Sequence, residues 1–201
     1  MNVFDFIETK SNKLGDKLGE NETEDDRAIY RYAIFGLFSQ IFTFGIGLIL
    51  SYLFGVFIPF VLVTLSFVFL RISGGGYHCS CFKNCFITSM MLFFIGVFIA
   101  FLTSPYPIIM LFIGIFSGIY IMPICPKPSK NSPSRGYKGD IKFRKKYRNT
   151  LLFLICSNLL FIYFKLPLCS TSISSGILMT SFMISDFGEY IINNVWNFIE
   201  K

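Results

Sequence analysis

Three long stretches without a charged residue constrain this chain more than any other feature: residues 32–70, 84–126 and 149–185, the last broken only by Lys165. A membrane-spanning helix needs roughly 20 apolar residues, so each run of about 40 is twice the length of one crossing. As one straight helix, such a run would measure about 60 Å at ~1.5 Å per residue, twice the hydrocarbon thickness. The alternative is a helical hairpin in each run. Composition agrees: 53% hydrophobic residues, 15% charged and 26 Phe exclude an ordinary soluble domain.

Each run carries a proline-marked turn near its middle. Gly55 and Pro59 mark the first, Ser104-Pro105-Tyr106-Pro107 the second and Lys165-Leu166-Pro167 the third. Proline breaks or ends a helix because it lacks the amide donor and its ring fixes φ. The expected fold is therefore an all-α integral membrane protein with six transmembrane helices arranged as three hairpins. Helices are expected over about 28–54, 56–70, 82–102, 106–122, 150–164 and 172–187. Gly47, Ser51 and Gly55 have the small-xxx-small spacing that lets another helix approach the first one closely.

Basic residues set the expected orientation. Lys127, Lys130, Arg135, Lys138, Lys142, Arg144, Lys145, Lys146 and Arg148 all fall in the long connection between the second and third hairpins, with Asp140 the one acid among them. Basic connections stay in the cytoplasm. Four crossings precede this one, so both termini and the connection containing Arg71 and Lys83 are expected on the same side. The result is a multi-pass protein of the cell membrane.

Outside the spans, residues 1–27 form an amphipathic cytoplasmic segment, with Val3, Ile7, Leu14 and Leu18 at helical spacing, expected to lie on the inner membrane face. The acidic patch 20–26 reads as a solvated linker. Residues 28–187 form the membrane domain, with a catalytic segment at 71–85 and a basic loop at 125–149. Residues 188–201 are a tail in which Trp196 and Phe198 suit an interfacial anchor.

Chemistry concentrates in residues 71–85, which hold the chain's one histidine, three of its cysteines and a glycine triplet. A thiol nucleophile needs a base within hydrogen-bond reach, and His78 is the side chain suited to that task. In a continuous helix His78 and Cys85 would share a face but stand about 10 Å apart. Contact therefore requires a bend, which Gly74, Gly75 and Gly76 permit. Arg71 and Lys83 are cations placed to favour a thiolate nearby.

Other readings of these residues have to be weighed. A free cysteine is commonly a small buried hydrophobe, so Cys79, Cys81, Cys85, Cys125, Cys156 and Cys169 can each be inert. His78 with Cys79, Cys81 and Cys85 can be read as a zinc set, but adjacent ligands and the missing paired C-x2-C spacing argue against it. No metal and no cofactor is expected.

Arg71, the run Gly74-Gly75-Gly76-Tyr77-His78 and Cys85, separated from the histidine by six residues, resemble the signature of the accessory gene regulator B family of bacterial membrane endopeptidases. The amphipathic amino terminus, the six-span plan and the proline-rich residues 123–128 followed by a basic stretch extend the resemblance over nearly the whole chain. The resemblance implies that His78 is the catalytic histidine and Cys85 the nucleophile, and it assigns no role to Cys79 or Cys81. It also implies a reaction. Cys85 attacks a peptide carbonyl of a short membrane-bound precursor, the carboxy-terminal fragment leaves, and a thioester remains. A cysteine or serine of the precursor then displaces Cys85 to give a cyclic thiolactone or lactone signalling peptide.

Supporting or substrate-binding roles are expected for Arg71, Gly75, Gly76, Lys83, Arg144, Lys145, Lys146 and Arg148. The expected partners are a short amphipathic pro-peptide and membrane lipid, with no nucleic acid; a homo-oligomer is left open. Two rival classes are a small transporter or channel, suggested by the polar sixth helix with Ser172, Ser174, Ser175, Thr180, Ser181, Ser185 and Asp186, and a scaffold without chemistry. Against transport, no charged residue falls near the middle of an expected span.

Overall fold

A computed structural model describes residues 3–20, 24–76, 82–127 and 136–199. They form α1 (Val3–Leu18), α2 (Glu24–Leu53), α3 (Phe57–Gly74), α4 (Phe82–Thr103), α5 (Pro107–Ile121), α6 (Gly136–Tyr163), α7 (Pro167–Ile184) and α8 (Asp186–Ile199). Among the described residues there is no strand, only an isolated parallel bridge between Gly75 and Lys127.

Short turns join α2 to α3, α4 to α5 and α6 to α7, at the places the prolines and glycine mark. Two of them close alike. Gly55 (φ 69°) and Lys165 (φ 57°) sit in the left-handed region. The following amides, Val56 N–H and Leu166 N–H, donate to the Ser51 and Phe161 carbonyls at 2.8 and 2.9 Å. That pattern satisfies carbonyls left open at a helix end. Pro107 and Pro167 each open the next helix, where a missing amide donor costs nothing. Gly55 is thus a turn residue, while Gly47 of the same small-residue set packs against the Phe60 ring.

α7 is the central element and packs against α3, α4, α5 and α6. Its surface is small and hydroxylated, which lets backbones approach. A Cβ on Gly176 would stand 2.5 Å from the Val63 carbonyl oxygen. The Ser175 and Thr171 hydroxyls donate to the Gly96 and Ala100 carbonyls of α4 at 2.8 and 2.9 Å. Asn158 of α6 donates to Ser174 Oγ at 2.6 Å and accepts from the Ser170 hydroxyl. Ser172 and Thr180 bond back to carbonyls of α7 itself. Of the hydroxyls that suggested a transport path, Ser174, Ser175 and Thr180 bond to neighbouring helices, and Ser172 and Ser185 bond to carbonyls close by in the chain.

Apolar contacts fill the rest. Phe60, Phe67, Phe93, Met183 and Ile192 form one cluster between α3, α4, α7 and α8, and Leu70, Ile121, Tyr147, Leu151 and Ile184 another between α3, α5, α6 and α7. Outside, Phe98, Phe116, Phe153 and Leu160 are all exposed. So much exposed apolar area suits lipid rather than water. Among the described residues, three helices are long and apolar enough to cross a membrane: Phe57–Gly74, Lys83–Thr103 and Pro167–Ile184. Leu37–Leu53 and Pro107–Ile121 are shorter apolar helices.

Several boundaries differ from those expected. The basic stretch, read as a loop over 125–149, is helical from Gly136 onward. The reason is a buried face made by Tyr147, Leu151, Leu154 and Asn158 at i, i+4, i+7 and i+11, which leaves Lys145, Lys146 and Arg148 on the exposed side. α2 begins at Glu24 within the acidic patch, where carboxylates favour a helix amino end. The tail is helical as α8, opening with Asp186 and Glu189 in its first turn. Gly15 of α1 and Gly19 just beyond it face α2, with Asp16 paired to Arg31, while Leu14 and Leu18 stay exposed.

Candidate active site

α3 runs past its expected end at residue 70, so Arg71, Ser73 and Gly74 belong to its last turn. Arg71 is buried, and its guanidinium carbon lies 5.7 Å from the centroid of the Phe67 ring. The Arg71 carbonyl accepts the Gly75 N–H at 2.9 Å, which ends the helix.

Beyond that point only glycine fits. Gly75 (φ 70°, ψ −139°) and Gly76 (φ 115°) occupy backbone regions that L side chains rarely adopt. A Cβ on Gly75 would stand 2.5 Å from the Lys127 carbonyl oxygen. One on Gly74 would meet Ile184 at 2.6 Å, and one on Gly76 would lie 3.4 Å from Arg71 Nη1. The triplet is therefore wedged between the end of α7, the buried arginine and the proline-rich segment. Lys127 N–H donates to the Gly74 carbonyl at 3.0 Å, and Gly76 N–H donates to the Lys127 carbonyl at 3.3 Å.

His78, Cys79 and Cys81 lie outside the described residues. On the far side of them, Cys85 falls in the first turn of α4, half-buried and packed against the cluster containing Phe67 and Phe93. Arg71, over Phe67, and Cys85 thus border the same apolar cluster. The amino end of a helix carries the positive end of its dipole and stabilises an anion placed there. Lys83 is exposed; two residues from Cys85, it lies on a different face of the helix.

Other thiols have other surroundings. Cys125 is fully buried, and burial pushes its thiol up to about 12 against the opposing pull of Arg144. Cys169 lines an apolar cavity of about 650 Å³ with Tyr52, Gly55, Phe101 and Leu166. It sits near the start of α7, whereas Ile184, which touches Gly74, ends that helix about 20 Å away by helical rise.

The described basic residues split into three groups. Arg144 Nε donates to the Cys125 carbonyl at 3.0 Å and its Nη2 to the Pro123 carbonyl at 3.2 Å, so Arg144 braces the proline-rich turn. Lys142, Lys145, Lys146 and Arg148 are exposed. Lys127 is different again: its Nζ contacts Asp186 Oδ1 and Glu189 Oε2, each at 2.8 Å. Its burial works against the charge, but hydrogen bonds to the two carboxylates outweigh that and raise its pKa above the usual lysine value. Sequence reasoning counted Lys127 with the other loop cations and missed this pairing. The available signal was Asp186 and Glu189 three residues apart, which places both on one helical face.

The accessory gene regulator B family model matches residues 8–184 of this chain. The chain belongs to that family. Its glycine triplet, Arg71 and Cys85 all lie within the matched residues, whereas α8 lies beyond them. No curated protein and no solved structure matches the chain. Membership in the accessory gene regulator B family links the protein to processing of autoinducer peptide precursors in quorum sensing, and with the three apolar helices it marks a membrane protein.

Proposed function

We propose that this family member is a membrane-embedded cysteine endopeptidase acting through a His78/Cys85 dyad on a short amphipathic pro-peptide. The observation that carries the reading is the placement of Cys85 in the first turn of α4, against the aromatic cluster on which the buried Arg71 guanidinium rests. A buried cation and a helix amino end both favour the anions that attack on a peptide bond creates. His78 follows the wedged Gly76 by two residues, so the segment that delivers the base starts from fixed backbone.

In this mechanism His78 accepts the thiol proton as Cys85 sulfur bonds to the scissile carbonyl carbon. The proton passes to the leaving amine when the C–N bond breaks, and the carboxy-terminal fragment departs. A cysteine or serine of the precursor then attacks the thioester carbonyl and releases Cys85. Because one activated ester replaces another, ring closure to a thiolactone or lactone draws on no outside energy source.

Helices α2 to α7 cross the membrane as three hairpins with the glycine triplet, Cys85 and the basic part of α6 on the cytoplasmic side. α1 lies on the inner face with Leu14 and Leu18 toward lipid. Exposed Lys145, Lys146 and Arg148 attract an acidic carboxy-terminal half of the precursor.

The test is cleavage in liposomes of a precursor with an amphipathic amino-terminal half, a central cysteine or serine and an acidic carboxy-terminal half. Cys85→Ala, Cys85→Ser and His78→Ala should each abolish cleavage with the protein still inserted, while Cys79→Ala and Cys81→Ala retain most of it. An active Cys85→Ala protein would overturn the assignment.

A further inference from the structure

We propose that Lys127 is a positioning residue of this enzyme, clamping the Gly74–Gly76 backbone and held in turn by Asp186 and Glu189 of α8. The proposal rests on the peptidase reading above and adds to it an element, α8, that lies beyond the family match.

The backbone of Lys127 pairs with the glycine segment on both sides, donating to Gly74 and accepting from Gly76. Its side chain then runs away from the glycines to α8, where two carboxylate oxygens meet Nζ. An exposed lysine pair contributes little to stability, because it is screened and its side chains are free to move. Lys127 differs in that its side chain is only 12% exposed and its backbone is already fixed; of its two partners, Asp186 is exposed and Glu189 is the more buried.

The far end of α8 has an anchor of its own. Trp196 Nε1 donates to Thr88 Oγ1 at 2.9 Å, one helical turn beyond Cys85. Between the two anchors, Ile192 is buried in the cluster against which Cys85 packs. α8 therefore ties the glycine segment that precedes His78 to the first turns of the helix that carries Cys85. Fixing one against the other is what a two-residue dyad requires, since a displacement of about 1 Å can cost on the order of 100-fold in rate.

A competing role for Lys127 is capture of substrate acids, as for its neighbours on α6. The two roles predict opposite results when its partners are neutralised. In the double variant Asp186→Asn/Glu189→Gln, a substrate-binding lysine is set free and KM falls. A positioning lysine loses its hold: kcat falls by on the order of 10- to 100-fold while KM stays unchanged. Amides of the same size keep the fold, whereas Lys127→Met is free to disturb the buried stem.

The experiment uses the full-length protein in uncharged liposomes with two probes. Iodoacetamide reports the reactivity of Cys85, followed at that residue by mass spectrometry, and the amphipathic precursor reports kcat and KM. The double amide variant should slow Cys85 alkylation at neutral pH by on the order of tenfold, since a displaced base no longer takes up the thiol proton. Lys127→Arg should retain most of both activities. Unchanged alkylation and kcat in the double variant would overturn the proposal, as would a lowered KM with kcat intact. Failure of the peptidase reading shows separately, as precursor cleavage by Cys85→Ala.

Discussion

Gly75→Ala should disable the enzyme while leaving its membrane helices in place. Gly75 adopts φ 70° and ψ −139°, a region in which an L residue costs about 1–3 kcal/mol. The new Cβ would also stand 2.5 Å from the Lys127 carbonyl oxygen, a backbone atom with no rotamer to change. Relief requires the glycine segment and Lys127 to part, at the expense of two bridge hydrogen bonds of about 0.5–1.5 kcal/mol each. The sum, about 2–6 kcal/mol, exceeds what so small a segment can absorb without moving. Cleavage of the precursor should fall by on the order of 100-fold, with the protein still extracted from membranes as a folded species. Gly45→Ala is the control, because a Cβ there meets nothing within 4 Å. It should keep full activity. If Gly75→Ala cleaves as fast as Gly45→Ala, the bridge to Lys127 does not set the geometry of the site.

Neutralising Lys145, Lys146 and Arg148 together should raise the precursor concentration needed for half-maximal cleavage, and the wild-type requirement should rise with salt; a precursor without carboxy-terminal acids, assayed in uncharged lipid, should abolish the difference. Arg144→Gln should instead lower thermal stability, because it releases the Cys125 and Pro123 carbonyls. A membrane-impermeant thiol reagent applied to intact cells should label a cysteine placed at Ser104 and should fail to label one at Lys142; labelling at 142 would reverse the orientation. The bridge from Lys127 should be fully present below the ordinary lysine pKa of 10.5 and be lost as pH rises through the raised folded value. Wild-type and Asp186→Asn/Glu189→Gln proteins should therefore differ in melting temperature at pH 8 and converge in strong alkali.

Turn positions were legible because their causes are local: Gly55, Pro107 and Pro167 act within one helical turn, whatever surrounds them. Arg71, Gly75 and Gly76 stood out for a related reason, since three successive glycines beside a cation are rare in apolar sequence. The course of α6 was hidden because its buried face, Tyr147 to Asn158, crosses from the basic stretch into the apolar run, and a division by charge cut it in two. Lys127 was hidden for a longer-range reason. Its partners lie 59 and 62 residues further along the chain, and nothing in its neighbourhood separates it from Lys142 or Lys145. The serines of α7 invited a transport reading because a polar helix face looks the same in sequence whether it lines water or bonds to neighbouring helices.

The central position of α7 also sets an order of assembly. Helices α3, α4 and α5 leave the ribosome before the element they all pack against exists. Until α7 follows, Val63 and Gly96 lack the neighbours that Gly176 and Met179 supply, and the earlier helices have only the contacts they make with one another, such as Phe60 on Phe93. A chain stopped at Lys165 would have made most of the described helices and would lack the one that four of them share. The candidate site, whose Gly74 leans on Ile184 at the end of α7, is complete only once that helix has been made.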